Sequence, residues 1–469
     1  MIKLDPEKFF IYCALIFGIL LVTIIPPFQS PDEDSHFKRA YVISKGHLFP
    51  TSQNGVVGYE IPTDMSNYIN EKLQYIGNRD KKYTYSEEIL DDRLPKDYSD
   101  VTFQNFSTAE TTPVAYIAPA IGIVFSKITT KIIGMSNISV VTMLHFARFF
   151  SLLLYTFLVY LAIKTTPILK KTFCIIGLLP MSLALAVAIS YDSVLIAISL
   201  LSTALIFKLI FDDNIKKISY KYLVAFGLIT YILLSVKIIY IIVLLPLIFI
   251  PKEKYEGKIT KALKYVGIIL GIALVLYILI NKIPGMNLQR NAIPNNSGEQ
   301  LKYIFTHPIE YSKTLIKSMY GNRNFYLSGM IGTFGLIDTY IPSIYIVIYI
   351  IAVLVAIISD LSICPVKFNW KYKCIAVLGS VAGISAVFTG LYILWTSMEL
   401  GVGATTITGV QGRYFIPIIP LAVIVFSNTI LKKNEKIKAF MENILANSNL
   451  IPLIMLCITS VTIFLRYWC

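Results

Sequence analysis

The sequence predicts an all-α integral membrane protein that crosses the bilayer about eleven times, at roughly 20 residues per span. Three observations carry that reading. Apolar side chains make up 55% of the 469 residues and charged ones only 15%, with a mean hydropathy of +0.67, whereas soluble domains carry about 25% charged residues. The apolar residues gather into runs of span length. Lysines collect in alternate loops between those runs, as the positive-inside rule requires. A disordered chain is thereby excluded, and a soluble enzyme is disfavoured. The net charge of +14 would suggest nucleic acid in a soluble domain, but membrane orientation accounts for it, so no nucleic-acid partner is expected. The six cysteines include no CxxC pair, and none lies in 26–111, so neither a disulfide framework nor a zinc site is indicated.

Taken in order, the first apolar run, 9–25, follows Lys3 and Lys8. Pro26, Pro27 and Phe28 come next instead of a small-residue cleavage site, so the run reads as a retained span with a cytoplasmic N-terminus. A first extracytoplasmic loop, 26–138, with juxtamembrane helices, comes next; between Gln29 and Thr112 its acids outnumber its bases 14 to 9. The apolar run 113–125 is read as a helix lying on the outer face, because a crossing there would place Lys164, Lys170 and Lys171 outside. Spans are then expected at 139–163, 172–189 and 193–211, and later at 265–281, 341–359, 374–395, 415–431 and 449–465.

The stretch 222–250 is too long for one span, since 29 residues make a helix of about 43 Å against a hydrocarbon core of about 30 Å. Both flanks are basic, so a hairpin of two short helices with Lys237 at its outer tip fits better. A second large extracytoplasmic loop occupies 282–340. Cytoplasmic loops then hold Lys216, Lys217 and Lys221, the five lysines from Lys252 to Lys264, Lys367, Lys371 and Lys373, and the four from Lys432 to Lys438. The chain reads as one polytopic domain, 1–469, without internal repeats, which counts against a transporter built from paired inverted halves.

Chemistry is expected just beyond the first span, where the chain reads Ser30-Pro31-Asp32-Glu33-Asp34-Ser35-His36. This is a helix start, with Ser30 as N-cap, Pro31 in the first turn, Glu33 as capping-box partner and Gly46 closing the helix. A capping Glu33 leaves Asp32 free at a membrane surface, where a carboxylate can act as general base on an acceptor hydroxyl; Asp32 and Glu33 are the catalytic candidates. Asp192, where the third span meets the outer surface, either N-caps the next span or partners Asp32 in holding a divalent cation or orienting the acceptor. His36, four residues after Asp32, is a metal-ligand or substrate-binding candidate. Arg148, Lys237 and Arg413 sit where bases are expensive in a membrane, about 2.5–3.5 kcal/mol each at a helix centre. Either they snorkel to the interface or they converge on a lipid-linked phosphate. A polyprenyl phosphate is a good leaving group, so a sugar attached to it needs a base and phosphate neutralisation, with no strong general acid. No Walker loop, Rossmann GxGxxG or plausible GxSxG elbow is present, which disfavours nucleotide-dependent chemistry.

Residues 31–41 carry the pattern PDE-x-x-H-x-x-RAY, and further motifs are Thr112-Pro113-Val114-Ala115-Tyr116, Ala147-Arg148, Ser190-Tyr191-Asp192, the segment from Gly332 to Asp338, and Gln411-Gly412-Arg413-Tyr414-Phe415. Together they resemble the GT-C superfamily of membrane glycosyltransferases, and most closely an uncharacterised bacterial membrane-protein family marked by the first of these patterns. The resemblance implies a GT-C fold in the bacterial cytoplasmic membrane, a polyprenyl-phosphate-sugar donor and inverting transfer outside the cytoplasm. It carries the catalytic acid of the first outer loop over to Asp32, with Glu33 assisting, and the second-loop acid to Asp192. Some such enzymes use a divalent metal, Mg or Mn, and others none; Asp32 and Asp192 leave both open. The implied acceptor is a glycan or glycolipid, such as a cell-wall or capsular polysaccharide or a teichoic acid. A polysaccharide polymerase or ligase is the alternative, with essential bases expected in a late loop; a lipid or sugar transporter comes third.

Overall fold

A computed structural model describes residues 5–84, 86–87, 98–134, 138–255, 296–366, 368–427 and 435–469. The span expected at 265–281, the start of the 282–340 loop, and Lys258, Lys261, Lys264, Lys367, Lys432 and Lys433 lie outside these residues. The described chain is mostly helical. It holds seven helices long and apolar enough to cross a membrane, or eight if one bent pair counts as a single span. It is thus a multi-pass membrane protein, and the sequence-based count of about eleven is matched only in part.

Helix α1 (Pro6–Ile24) opens on a proline, whose missing amide is no loss at a first turn, and stops before Pro26. It leads into α2 (Glu33–Ser44). The first long loop then departs from the all-α expectation. Strands β1 (Thr51–Gln53), β2 (Val56–Pro62) and β3 (Val101–Gln104) form an antiparallel sheet in the order β1-β2-β3, with α3 (Thr63–Lys72) following β2. Thr51 pairs with Gly58 and Tyr59 with Gln104. Runs this short in polar sequence carry too few alternations to register as strands.

Helix α4 (Ile117–Ile132) and α5 (Val140–Thr165) form a tight pair, because Gly122 lacks the Cβ that would collide with the Phe146 carbonyl. The segment Pro113–Ile132 is long and apolar enough to cross. It runs alongside α2: Tyr116 bonds to His36 on α2, while the Lys127 ammonium lies 3.5 Å from Ser44 Oγ and 4.7 Å over the Tyr41 ring.

The expected span 172–189 is instead two helices, α6 (Lys170–Gly177) and α7 (Pro180–Val187), bent by 56°. Pro180 has no amide to continue the ladder and forces Leu179 into an extended conformation, ψ 135°. Helix α8 (Tyr191–Phe211) follows. Next, α9 (Tyr220–Val236) turns at Lys237 into a 3₁₀ segment, Ile238–Phe249, and the Ile218 amide donates to the Lys254 carbonyl at 2.9 Å, closing the hairpin expected at 222–250. The two arms match in length, since 17 α-helical residues rise about 26 Å and 12 residues of 3₁₀ helix about 24 Å.

Beyond the undescribed stretch come α10 (Ser297–Thr306), α11 (Pro308–Gly321), α12 (Arg323–Gly329) and the two-residue strands β4 (Thr333–Phe334) and β5 (Thr339–Tyr340). The long helix α13 (Ser343–Ile363) precedes α14 (Trp370–Leu391), which continues through a π-turn, Tyr392–Thr396, to Glu399. The span expected at 415–431 is a mixed segment, Gly412–Phe426, of 3₁₀ and α turns, because Pro417 and Pro420 remove ladder donors. An unanticipated helix, α15 (Glu435–Asn447), precedes the last, α16 (Leu450–Trp468). Near its end, Arg466 ties three parts of the chain together: Nη2 donates to Asp338 at 2.8 Å and to the Tyr75 and Asn78 carbonyls, while the Gly77 amide also donates to Asp338.

Candidate functional site

The site grows from α2. Its helix begins at Glu33, not at Pro31, and Ser30 does not cap it. Asp32 holds the cap position with left-handed backbone angles, φ 56° and ψ 15°, and makes no side-chain cap bond. Aspartate is among the few residues that tolerate this region, at a modest strain cost. The consequence is chemical: the Asp32 carboxylate is released from its usual duty to the helix amides. The side chain stays 59% exposed. The surrounding protein still partly desolvates the carboxyl, and this pushes its pKa above the ordinary aspartate value. Arg413 opposes that rise, while Asp192 and Asp34 reinforce it.

The other residues of the 31–41 pattern hold α2 in place. Glu33 is fully buried and forms a two-pronged ion pair with Arg148, Oε1 to Nε at 2.8 Å and Oε2 to Nη2 at 2.6 Å. Arg148 also donates to the carbonyls of Ile25 at 2.6 Å and Pro26 at 3.0 Å, which stitches the end of α1 to α5. His36 bonds through Nδ1 to the Tyr116 hydroxyl at 2.7 Å and meets the Tyr191 ring edge-on at 4.9 Å between centroids. Burial pushes its pKa down to about 3, so the imidazole is neutral. Arg39 donates to the Thr111 carbonyl, the Tyr59 hydroxyl and the Leu48 carbonyl at 2.6–2.8 Å.

Three further charges meet beside Asp32. Arg413 reaches Asp32 Oδ2 through Nη2 at 3.3 Å and faces Asp192 Oδ2 through Nε at 3.3 Å. Lys237, at the hairpin tip, lies 3.4 Å from Asp192 Oδ1 and is sandwiched between the rings of Tyr191 at 4.7 Å and Tyr414 at 4.4 Å. The Tyr240 hydroxyl donates to the Tyr414 carbonyl at 2.8 Å and so ties the hairpin to the Arg413 segment. Asp192 does not cap α8; Ser190 does, accepting the Asp192 amide at 3.1 Å. Gly412 sets the position of Arg413, since a Cβ there would lie 2.0 Å from the Tyr326 carbonyl oxygen, so α12 presses directly against this segment.

Of the residues singled out in the sequence, Asp32, Asp192, Lys237 and Arg413 converge, with His36 one aromatic ring away. Two expectations are corrected. Glu33 is not a helix cap and has no access to a substrate, because Arg148 and the Ile189 amide occupy it. Arg148 is 1% exposed and saturated by Glu33 and main-chain carbonyls, so it is not a phosphate ligand. Arg413 differs from Arg39 and Arg148 in its partners: it is held by two carboxylates, Asp32 and Asp192, at 3.3 Å each, and one of them is exposed. A divalent cation fits poorly here. Each Asp192 oxygen faces a cationic nitrogen, the His36 Nδ1 is taken by Tyr116, and among the described residues no three acidic, histidine or cysteine side chains form a metal-sized group. Sequence reasoning assigned no role to Tyr191, Tyr414 and Tyr116; the signal was their adjacency to Asp192, Arg413 and Pro113 inside the motifs.

Residues 15–422 match the family described as Predicted membrane protein (DUF2142), and the chain belongs to that family. No curated protein and no solved structure matches it.

Proposed function

We propose that this chain is an inverting glycosyltransferase of the GT-C kind, moving a sugar from a polyprenyl-phosphate donor to a hydroxyl of a glycan or glycolipid outside the cytoplasm. One observation carries the reading: an exposed carboxylate, Asp32, stands 3.3 Å from a guanidinium, Arg413, that a second carboxylate, Asp192, holds from the other side. Inverting transfer from a lipid phosphate needs this pair, a base for the acceptor and a cation for the leaving group.

In the reaction so read, Arg413 and Lys237 hold the donor phosphate and Asp192 holds the two cations in place. Asp32 takes the proton of the acceptor hydroxyl as its oxygen attacks the anomeric carbon from the face opposite the phosphate. The anomeric carbon–oxygen bond breaks, its electron pair leaves with the polyprenyl phosphate, and Asp32 passes its proton to water. Asp32 supplies base catalysis, which typically contributes 10²–10⁴ in rate.

The same reading orients the protein in a bacterial cytoplasmic membrane, with the N-terminus inside and the Asp32 end outside. Helix α4 then lies in the outer leaflet without crossing, packed alongside α2. The Lys164, Lys170 and Lys171 loop falls inside, as lysine-rich loops do. A polysaccharide ligase remains a second reading because Arg413, the site's guanidinium, comes from a late segment. Purified protein incubated with a panel of polyprenyl-phosphate monosaccharides and, separately, with lipid-linked oligosaccharides, each with surface-glycan acceptors, tests both. Addition of single sugars is expected. Transfer only of whole lipid-linked oligosaccharides would favour the ligase, and no transfer from any lipid phosphate would overturn both readings.

A further inference from the structure

Helices α10 and α11 seat one side on the protein, with Ile304, Leu315 and Met319 packed against an apolar cluster around Phe388 and Tyr392, and leave a second apolar face uncovered. On α10 the buried residue is Gln300, whose Oε1 accepts the Gly403 amide at 3.0 Å, while Phe305 is 77% exposed. On α11 the buried face is Tyr311, Thr314 and Ser318. Tyr311 shares a hydrogen bond with Thr389, and Ser318 Oγ accepts the Ile407 amide at 3.0 Å. The opposite face carries Ile309, Ile316 and Tyr320, each 65–68% exposed. At about 100° per residue these three and Lys313 fall on one stripe. Exposed Trp395, Leu400 and Val402, after α14, extend the apolar surface beside Gly403. Large apolar side chains left exposed along one face mark an interaction surface.

Charge identifies the occupant. Residues 297–323 hold four bases, Lys302, Lys313, Lys317 and Arg323, against two acids, Glu299 and Glu310. Lys313 lies on the apolar stripe and Lys317 beside it, both exposed, as in helices that lie in a membrane interface with lysines reaching the headgroups. We propose that α10 and α11 dock in the plane of the leaflet on the Asp32 side, with their apolar face at the acyl boundary and their lysines on the phosphates of anionic phospholipids. This docking needs no assumption about the chemistry of the site. It also gives Arg413 a fixed depth, since α12, which follows α11 directly, presses on Gly412.

The test is electron paramagnetic resonance on the full chain, stripped of native cysteines and placed in nanodiscs of phosphatidylcholine and phosphatidylglycerol. Single nitroxides at Phe305, Ile316 and Glu299 report collision with oxygen, which favours lipid, and with a nickel chelate, which favours water. At Phe305 and Ile316 the oxygen-to-nickel ratio should exceed that at Glu299 by at least about threefold, as for an interfacial helix. Lys302→Gln, Lys313→Gln and Lys317→Gln should each lower the local preference for phosphatidylglycerol about fivefold, the factor corresponding to about 1 kcal/mol per base near the surface. Water-like ratios at Phe305 and Ile316 would overturn the docking. So would spin–spin broadening between chains, which would make a second copy the occupant. Unchanged lipid preference in the lysine variants would remove the anionic-lipid assignment.

Discussion

Asp32→Asn separates the base from the cation in a way a structural role cannot imitate. In the resting site Arg413 is shared between Asp32 and Asp192, 3.3 Å from each. An incoming lipid phosphate must compete with Asp32 for that guanidinium and also feels its negative charge. Two unit charges about 6 Å apart interact by about 0.7 kcal/mol in water and about 2.8 kcal/mol at an effective dielectric constant of 20. Because Asp32 is 59% exposed, solvent screening confines the effect to the lower half of that range. The substitution should thus tighten polyprenyl-phosphate binding about threefold to tenfold while lowering sugar transfer by about 10²–10⁴. Binding can be followed with radiolabelled polyprenyl phosphate on protein in nanodiscs, and transfer with the donor panel. A variant that binds no tighter would refute the shared-guanidinium argument and leave the base assignment standing. Near-normal transfer would refute Asp32 as the base. Absence of binding in the unsubstituted protein would remove the lipid-phosphate reading altogether.

Arg413→Gln should weaken polyprenyl-phosphate binding about tenfold to a hundredfold, the loss of a charge-assisted bond of about 1.5–3 kcal/mol, measured by the same assay. Its pH profile carries a second expectation. Burial already raises the Asp32 pKa and Arg413 restrains it, so removing Arg413 raises it further. A base must be deprotonated, so activity is lost as pH falls through that pKa, and the acid limb at saturating donor should move to higher pH in the variant. Glu33→Ala and Arg148→Ala should each destabilise the protein by about 3–5 kcal/mol, because either leaves a buried charge unpaired. The double variant should not recover, since the Ile25 and Pro26 carbonyls still lack their donor; thermal unfolding in detergent reads this out. For topology, a single cysteine at Lys131 should react with an impermeant reagent added outside intact cells, and one at Lys170 only after lysis; labelling of the Lys170 position from outside would invert the orientation.

The membrane character, the boundaries of the longest helices and the hairpin at 222–250 were legible in the sequence because they rest on local quantities. Span length, apolar run length and lysine placement are properties of contiguous residues, and the mismatch between a 43 Å helix and a 30 Å core, both approximate, forces a turn wherever the partners lie. The short strands of the first loop and the breaks at Pro180 and Pro417 were less visible. A strand of three residues shows no period, and a proline within an apolar run signals a kink without saying which way the chain turns. The site divided in the same manner. Sequence placed Asp32, Asp192, Lys237 and Arg413 at the ends of spans, where charges are costly enough to need a reason. Glu33 and Asp32 are adjacent acids with the same local signals, and sequence could not tell the buried partner of Arg148 from the exposed carboxylate. Only the tertiary structure separates them. The left-handed turn at Asp32 sends one side chain outward and the next inward to a guanidinium 115 positions away in the chain, and pairings at that separation leave no mark on composition or periodicity.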